Sequence, residues 1–483
     1  MEVKNLEPKA LWGHFADLNE VPRPSKKEER VIQFMLDFGK KLGLETIEDR
    51  IHNVIIRKPA TPGMENRQKI VMQSHLDMVH QKNADTVFDF DQQGIEMLID
   101  GDWVRANGTT LGADNGIGVA AIMAVLASDN IPHPAIEALF TIDEETGMTG
   151  AMQVDPANIS GTILLNLDTE DDDELSIGCA GGIDTNTTMN VAYEPLPSEC
   201  STFEIQLRGL LGGHSGMDIH LGRGNANKWM NRLLYHAFSL VDLRLITLEG
   251  GSLRNAIPRE STAVVAVPKE DKAAFLEAYE EFSATLKAEY ALIEKDFKLT
   301  ITEVKSEDKA VAHADFERIL QAIYAVPNGV FRMSPAIPTL VEASTSLARV
   351  SVGNGKFTTQ SLQRSSVEST KSDVANAVRM AFESVGSAVV QNGEYPGWEP
   401  NPDSPIVHLM ADLYRKTFNE EPQIKACHAG LECGILGKQF PGMDMISFGP
   451  NIRGAHSPDE CVQISSVQKF WKYLLLTLEQ IPA

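Results

Sequence analysis

Three short apolar runs constrain this chain more than any other feature. Lys69-Ile-Val-Met72, Ala135 to Ile142 and Thr162-Ile-Leu-Leu-Asn-Leu167 are nearly continuous in hydrophobicity, the pattern of strands buried on both faces. Such strands belong to parallel sheets covered by helices, and an apolar helix is predicted from about Gly116 to Ser128, between the first two runs. Upstream, Val31, Phe34, Met35, Phe38 and Leu42 recur at spacings of three and four and predict a helix burying that face. The expected fold class is α/β, a mostly parallel sheet with helices on both faces.

After Gly181-Gly182 the texture changes. Thr202-Phe-Glu-Ile-Gln-Leu207 and Ser261 to Val267 alternate, and long polar helices are expected over about 269–295, 316–325 and 371–385. Residues 185–391 therefore read as an inserted α+β domain, as two similar sandwiches. Gly393-Glu-Tyr-Pro-Gly-Trp-Glu-Pro-Asn-Pro402 reads as the linker leaving it. A strand at Asp444 to Phe448 follows, then a closing helix with Val467, Phe470, Trp471, Leu474, Leu475 and Leu478 on one face. The catalytic domain is thus expected to be discontinuous, with 1–184 and 392–483 completing one sheet and the insertion acting as a lid.

Composition excludes several classes. At 483 residues the chain is long enough for two domains, and a formal net charge of −24 opposes binding to phosphate backbones. The N-terminus has no basic region followed by an apolar core, and no apolar stretch approaches the roughly 20 residues that cross a bilayer. Five scattered cysteines without a CxxC pair fit a reducing cytoplasm.

Chemistry-bearing residues cluster at the strand ends. The first run leads into His75-Leu-Asp77, where Asp77 is placed to fix the tautomer of a metal-binding His75. The second leads into Asp143-Glu144-Glu145-Thr146-Gly147, where adjacent residues leaving a strand diverge. One carboxylate can then bind a cation while its neighbour serves as general base. Asp168 ends the third run, and His456 follows the strand at Asp444 to Phe448. Asp114 lies in Leu111-Gly-Ala-Asp-Asn-Gly-Ile-Gly118, just before a helix. Singly these read as turn residues or, for Asp114, a helix cap. Together they converge on the carboxyl edge of a parallel sheet, where open α/β folds bind ligands. Two histidines and three carboxylates suit two divalent ions about 3.5–4 Å apart, with Asp114 the natural bridge.

In this order, His75-Leu-Asp77, Gly112-Ala-Asp-Asn-Gly116, Asp143-Glu-Glu145, Asp168 and His456 resemble the co-catalytic zinc peptidases and aminoacylases, over nearly the whole chain. The resemblance implies one metal held by His75 and Asp168, the other by Glu145 and His456, and Asp114 bridging. It makes Glu144 the general base and Asp77 the support of His75, and implies a cis peptide after Asp114. It implies two divalent metal ions per chain, zinc with cobalt or manganese as alternatives, and a homodimer. Candidate substrate residues are His214 in Gly212-Gly-His-Ser-Gly216, Asn255 in Arg254-Asn-Ala-Ile-Pro258 and Arg364, with Glu432 set to meet a free amine. His214 is suited to stabilise an oxyanion and Arg364 to clamp a carboxylate. Within the family, His428-Ala-Gly-Leu-Glu-Cys-Gly434 and the long insertion resemble the dipeptidases, implying hydrolysis of dipeptides with broad specificity, Xaa-His dipeptides such as β-alanyl-histidine among them. An N-acyl amino acid deacylase or a carboxypeptidase on the same dimetal site is the alternative, and a silent metal-binding protein the third reading.

Overall fold

In the computed structural model, which describes residues 2–197, 199–305 and 307–483, the chain divides into two compact units. The first comprises Met1–Gly178, Pro400–Ala426 and Leu431–Ala483, and the second Cys179–Glu399 with Cys427–Gly430. The tetrapeptide Cys427–Gly430 thus leaves the C-terminal stretch that the sequence assigned whole to the first unit.

An eight-stranded sheet organises the first unit. Its central strands are adjacent and parallel in the order Ile136–Thr141, Ile70–His75, Ile163–Asn166, Asp444–Ser447. The first three are buried at every position, which is why their sequences do not alternate. Antiparallel Val54–Lys58 and Glu45–Glu48 extend one side, and Glu174–Cys179 with Gln423–Cys427 the other. Helix Ala113–Ala127 is buried almost throughout, but Asp114 and Asn115 have non-helical backbone, so regular turns begin at Gly116. Ile117, Val119, Ile122, Val125 and Leu126 are enclosed, each worth roughly 1.5–3 kcal/mol of burial.

Two helical faces differ in detail from the spacing argument. Helix Glu29–Lys41 buries Val31, Ile32, Met35, Leu36 and Gly39, leaving Phe34 and Phe38 half-buried. Gly39 sets this rotation. A Cβ there would lie 2.2 Å from Thr46 Oγ1, so the bare glycine lets strand Glu45–Glu48 approach. In Ile464–Gln480 the buried face holds Val467, Phe470, Tyr473, Leu474 and Leu478, with Trp471 and Leu475 half-buried. A separate four-stranded sheet joins Met97–Asp100, Trp103–Ala106, Cys461–Gln463 and Ile452–Arg453. The last two form a hairpin whose connection is residues 454–460.

The second unit is built on a single antiparallel nine-stranded sheet, with a separate two-stranded pair of Tyr193–Pro195 and Lys309–Val311, rather than on two sandwiches. Strand Arg244–Gly250 pairs with Val341–Gly353 at Leu248, Glu249 and Gly250, fusing the two halves edge to edge. Helices Ala226–Phe238, Lys272–Glu289, His313–Ala325 and Glu368–Glu383 pack on it over one core that includes Phe203, Trp229, Phe275, Phe316, Phe357 and Phe382. Gly393 and Tyr395, read from sequence as linker, instead lie in strand Ala388–Tyr395, which pairs with Gly181–Asn190.

Candidate active site

Three of the four central strands deliver a side chain at or just past their carboxyl ends: His75, Glu145 and Asp168. His75 is the last residue of its strand and is 1% exposed. Its Nδ1 faces the Asp77 carbonyl at 3.2 Å and Asp77 Oδ1 at 3.4 Å, which places a ring hydrogen on Nδ1 and, in the neutral ring, leaves the Nε2 lone pair for a cation. Nε2 lies 3.2 Å from Asp114 Oδ1 and 3.7 Å from Asp168 Oδ1. His456 Nε2 lies 3.3 Å from the other Asp114 oxygen and 2.9 Å from Glu145 Oε2. The two oxygens of Asp114 therefore face different histidines. The structure brings together His75, Asp114, Glu145, Asp168 and His456, and the peptide joining Asp114 to Asn115 is cis.

His456 is presented differently from the strand-end residues. It sits in the hairpin connection with φ 64° and a half-exposed side chain, whereas His75 is enclosed. The sequence located it in a loop after a strand but gave no sign of the small second sheet carrying it.

The electrostatics describe an excess of carboxylates. Burial pushes the Glu144 and Asp168 carboxyls well above the ordinary range; for Glu144 the charges of Glu432, Glu145 and Asp114 add to this against His75. Burial opposes the protonated form of His75, but Asp168, Asp114 and Asp77 outweigh it and hold the imidazole well above its usual value. Hydrogen bonds to Asp114 and Glu145 raise His456 to about 11. Asp114 is held low: burial would raise it, and the His456 and His75 hydrogen bonds prevail. A cluster of imidazole Nε2 atoms and carboxylate oxygens, with more negative charge than its histidines neutralise, fits divalent cations.

Asp77 does more than orient His75. Its Oδ1 accepts the Glu144 amide at 3.0 Å, its Oδ2 the Glu145 amide at 3.3 Å, and Ser25 Oγ donates to Oδ2 at 2.7 Å. The glutamates diverge for a reason other than strand alternation: Asp143 is left-handed at φ 56° and Glu144–Gly147 forms a helical turn. The Asp143 carboxylate accepts the Thr146 and Thr149 hydroxyls and meets the Lys26 ammonium, locking that turn.

Beneath the strand ends runs a buried polar chain. Gln73 Nε2 donates to Glu432 Oε2 at 2.6 Å, Thr141 Oγ1 donates to the same oxygen at 2.7 Å, and Asn166 continues from Gln73 to Ser447. Glu432 is fully buried, and its Oε1 has no hydrogen-bonding partner among the described residues. Burial raises this carboxyl to about 7.

In the second unit Arg364 is buried, donating from Nη1 to Tyr395 Oη at 2.9 Å with Nη2 3.3 Å from His214 Nε2. His214 Nδ1 accepts the Gly216 and Met217 amides at 3.2 and 3.0 Å, so its hydrogen is on Nε2. Burial and then the Arg364 charge lower it to about 4, keeping it neutral. Two donors thus converge on one point, a place for an anionic oxygen. Asn255 is exposed, and its carbonyl accepts the Ser215 amide at 2.9 Å.

Two residues absent from the sequence reading, Arg23 and Glu460, are buried beside the Asp114 loop. Neither carries a local signal, since Arg23 follows a helix and Glu460 follows an aspartate that reads as a solvated pair.

The chain belongs to peptidase family M20/M25/M40, whose family model matches residues 71–480. Membership makes it a metallopeptidase, and the cluster is a group of residues that could hold its cation. Among individual proteins, it is 42% identical over 482 residues to the cytosol non-specific dipeptidase of Escherichia coli (strain K12), covering 100% of this chain and 99% of that one. The crystal structure of aminoacylhistidine dipeptidase from Vibrio alginolyticus matches with a TM-score of 0.94 at 45% identity, covering 100% of this chain and 98% of that one. The aminopeptidase PepT of Bacillus cereus, 16% identical with a TM-score of 0.57 over 99% of this chain and 100% of that one, shares the fold alone.

Proposed function

We propose that this protein hydrolyses dipeptides of broad sequence, Xaa-His dipeptides such as β-alanyl-histidine among them, at a site for two divalent cations. The observation that carries the reading is the placement of Asp114, whose two oxygens face His75 and His456 separately, next to the protonatable Glu144. His75 with Asp168 would hold one cation and Glu145 with His456 the other, and Asp114 would serve both. Zinc is the proposed ion, and the same donors accept cobalt or manganese. Bound there, the cations supply Lewis acidity, polarising the scissile carbonyl and lowering the pKa of a water.

The chain's own groups perform the rest. Glu144 takes the proton of the attacking water and returns it to the leaving nitrogen. Asp77 holds the backbone of that glutamate in place. The Arg364 and His214 donors suit the substrate carboxylate and the oxyanion. The names of the full-length relatives support a dipeptide substrate and a cytosolic setting. The homodimer rests on the family resemblance.

A dipeptide, unlike an N-acyl amino acid, presents a free ammonium, and the buried Glu432 carboxyl, whose Oε1 has no partner among the described residues, is the group to receive it. Comparing kcat/KM for alanyl-histidine and for N-acetyl-histidine tests this. The free-amine substrate should be strongly preferred. Equal hydrolysis of the two would replace the dipeptidase reading with a deacylase.

A further inference from the structure

We infer that Arg23 and Glu460 are positioning residues for the metal centre, tying the loop that carries Asp114 to the two segments that carry His75 and His456. The inference rests on the proposed roles of those three ligands. The ties use opposite charges on opposite backbone groups. Arg23, 1% exposed, donates from Nη1 to the carbonyls of Leu76 at 3.1 Å and Asp77 at 3.2 Å, and from Nη2 to that of Gly112 at 2.6 Å. It therefore spans from the residues after His75 to the residue two before Asp114. Glu460, 2% exposed, accepts amides from the other side: Leu111 at 2.7 Å and Gly112 at 2.9 Å on Oε2, Ala113 at 2.8 Å and Asp114 at 3.2 Å on Oε1. It lies four residues beyond His456 in the same hairpin connection.

The glycines around Asp114 belong to this arrangement. A Cβ on Gly112 would come within 2.5 Å of Arg23 Nη2, and one on Gly116 within 2.7 Å of the same atom. The space they leave open is the space the guanidinium occupies. Gly112 also has φ 69°, whereas Gly116 has no such backbone demand, so the guanidinium is a specific reason for a glycine at 116. Asn19 completes the seat, accepting from Arg23 Nη2 at 3.2 Å and donating to the Leu111 carbonyl at 3.1 Å. Asn19, Arg23 and Ser25, the last on Asp77, all precede residue 71, where the match to the family model begins. A stretch outside that match thus braces ligands inside it. Arg23 is suited to the task because its planar fork sets one nitrogen against the Leu76 and Asp77 carbonyls and another against that of Gly112, whereas a lysine offers a single nitrogen. Burial lowers it to about 10 against the charges of Glu460, Asp77, Asp114 and Glu145, so it stays cationic at neutral pH.

The test uses the full-length protein, stripped of metal with a chelator, as wild type and as Arg23→Gln, Glu460→Gln and Gly116→Ala. Three quantities are measured: the thermal midpoint of the metal-free form, zinc affinity by competition with a chromophoric chelator, and kcat and KM at saturating zinc. The folded variants should bind zinc on the order of 10- to 100-fold more weakly. At saturating zinc they should show lower kcat with KM within about two-fold of wild type. Should Arg23→Gln fail to fold, Gly116→Ala carries the test, because it keeps the charge and presses first on the guanidinium, at 2.7 Å from the added Cβ, and less on the Phe15 ring at 3.0 Å. Folded variants with wild-type zinc affinity and kcat would overturn the inference, as would a rise in KM at unchanged affinity. Failure of the wild type itself to bind zinc, cobalt or manganese would instead overturn the metal reading on which it rests.

Discussion

Asp77 Oδ1 accepts the amide hydrogen of Glu144 at 3.0 Å, while the same carboxylate meets the Nδ1 side of His75. One buried side chain thus fixes the ring of a proposed ligand and the backbone of the proposed base, which follow adjacent strands of the sheet. Burial would raise its pKa, but His75, Ser25 and the Glu144 amide prevail and keep it ionised. Asp77→Asn retains the shape and turns one acceptor into a donor facing donors. Hydrogen bonds to a charged group are worth roughly 1.5–3 kcal/mol, so kcat/KM should fall by at least about 10- to 100-fold, with weaker zinc binding. Steady-state kinetics beside a zinc titration checks this; wild-type values for both would assign Asp77 no such role.

Arg364 and His214 offer two donors to an anionic oxygen, and the planar fork of Arg364 is also held by Tyr395. Arg364→Lys keeps the charge and loses the fork. KM for dipeptides should rise by about 10- to 100-fold, while a dipeptide amide, which lacks the carboxylate, should change little. Equal losses on both substrates would separate Arg364 from carboxylate recognition.

His75 and His456 both have raised pKa values in the metal-free protein, His456 to about 11, so both carry protons at neutral pH. A cation must displace those protons, and raising the pH removes its competitor. Apparent zinc affinity should therefore increase with pH, by up to about tenfold per unit for each proton displaced. Calorimetry in buffers of different ionisation enthalpy measures the release directly. Affinity independent of pH, with no proton released, would contradict the placement of zinc on these imidazoles.

What was legible in the sequence follows from how local each signal is. The central strands were readable because burial on both faces leaves an uninterrupted apolar run, and the strand-end positions of His75, Glu145 and Asp168 were readable with them. The rotation of helix Glu29–Lys41 was not, because it depends on Gly39 meeting Thr46 across a turn. The single sheet of the second unit was hidden for a similar reason: three residues of Arg244–Gly250 pair with a strand about a hundred positions away. Arg23 and Glu460 act on backbone groups 89 and 348 residues distant at Gly112, so their sequence neighbours carry no trace of the partner.

The most direct test of a dimetal hydrolase with Glu144 as proton carrier is Glu144→Gln, assayed for zinc content and for dipeptide turnover in the same preparation. Glu144 feels the charges of His75, Glu432, Glu145 and Asp114 and is assigned no metal. The variant should bind two equivalents of zinc as wild type does, with kcat reduced on the order of 10²- to 10⁴-fold. Full turnover, or loss of zinc along with activity, would contradict the account, the first by removing Glu144 from the chemistry and the second by making it a ligand.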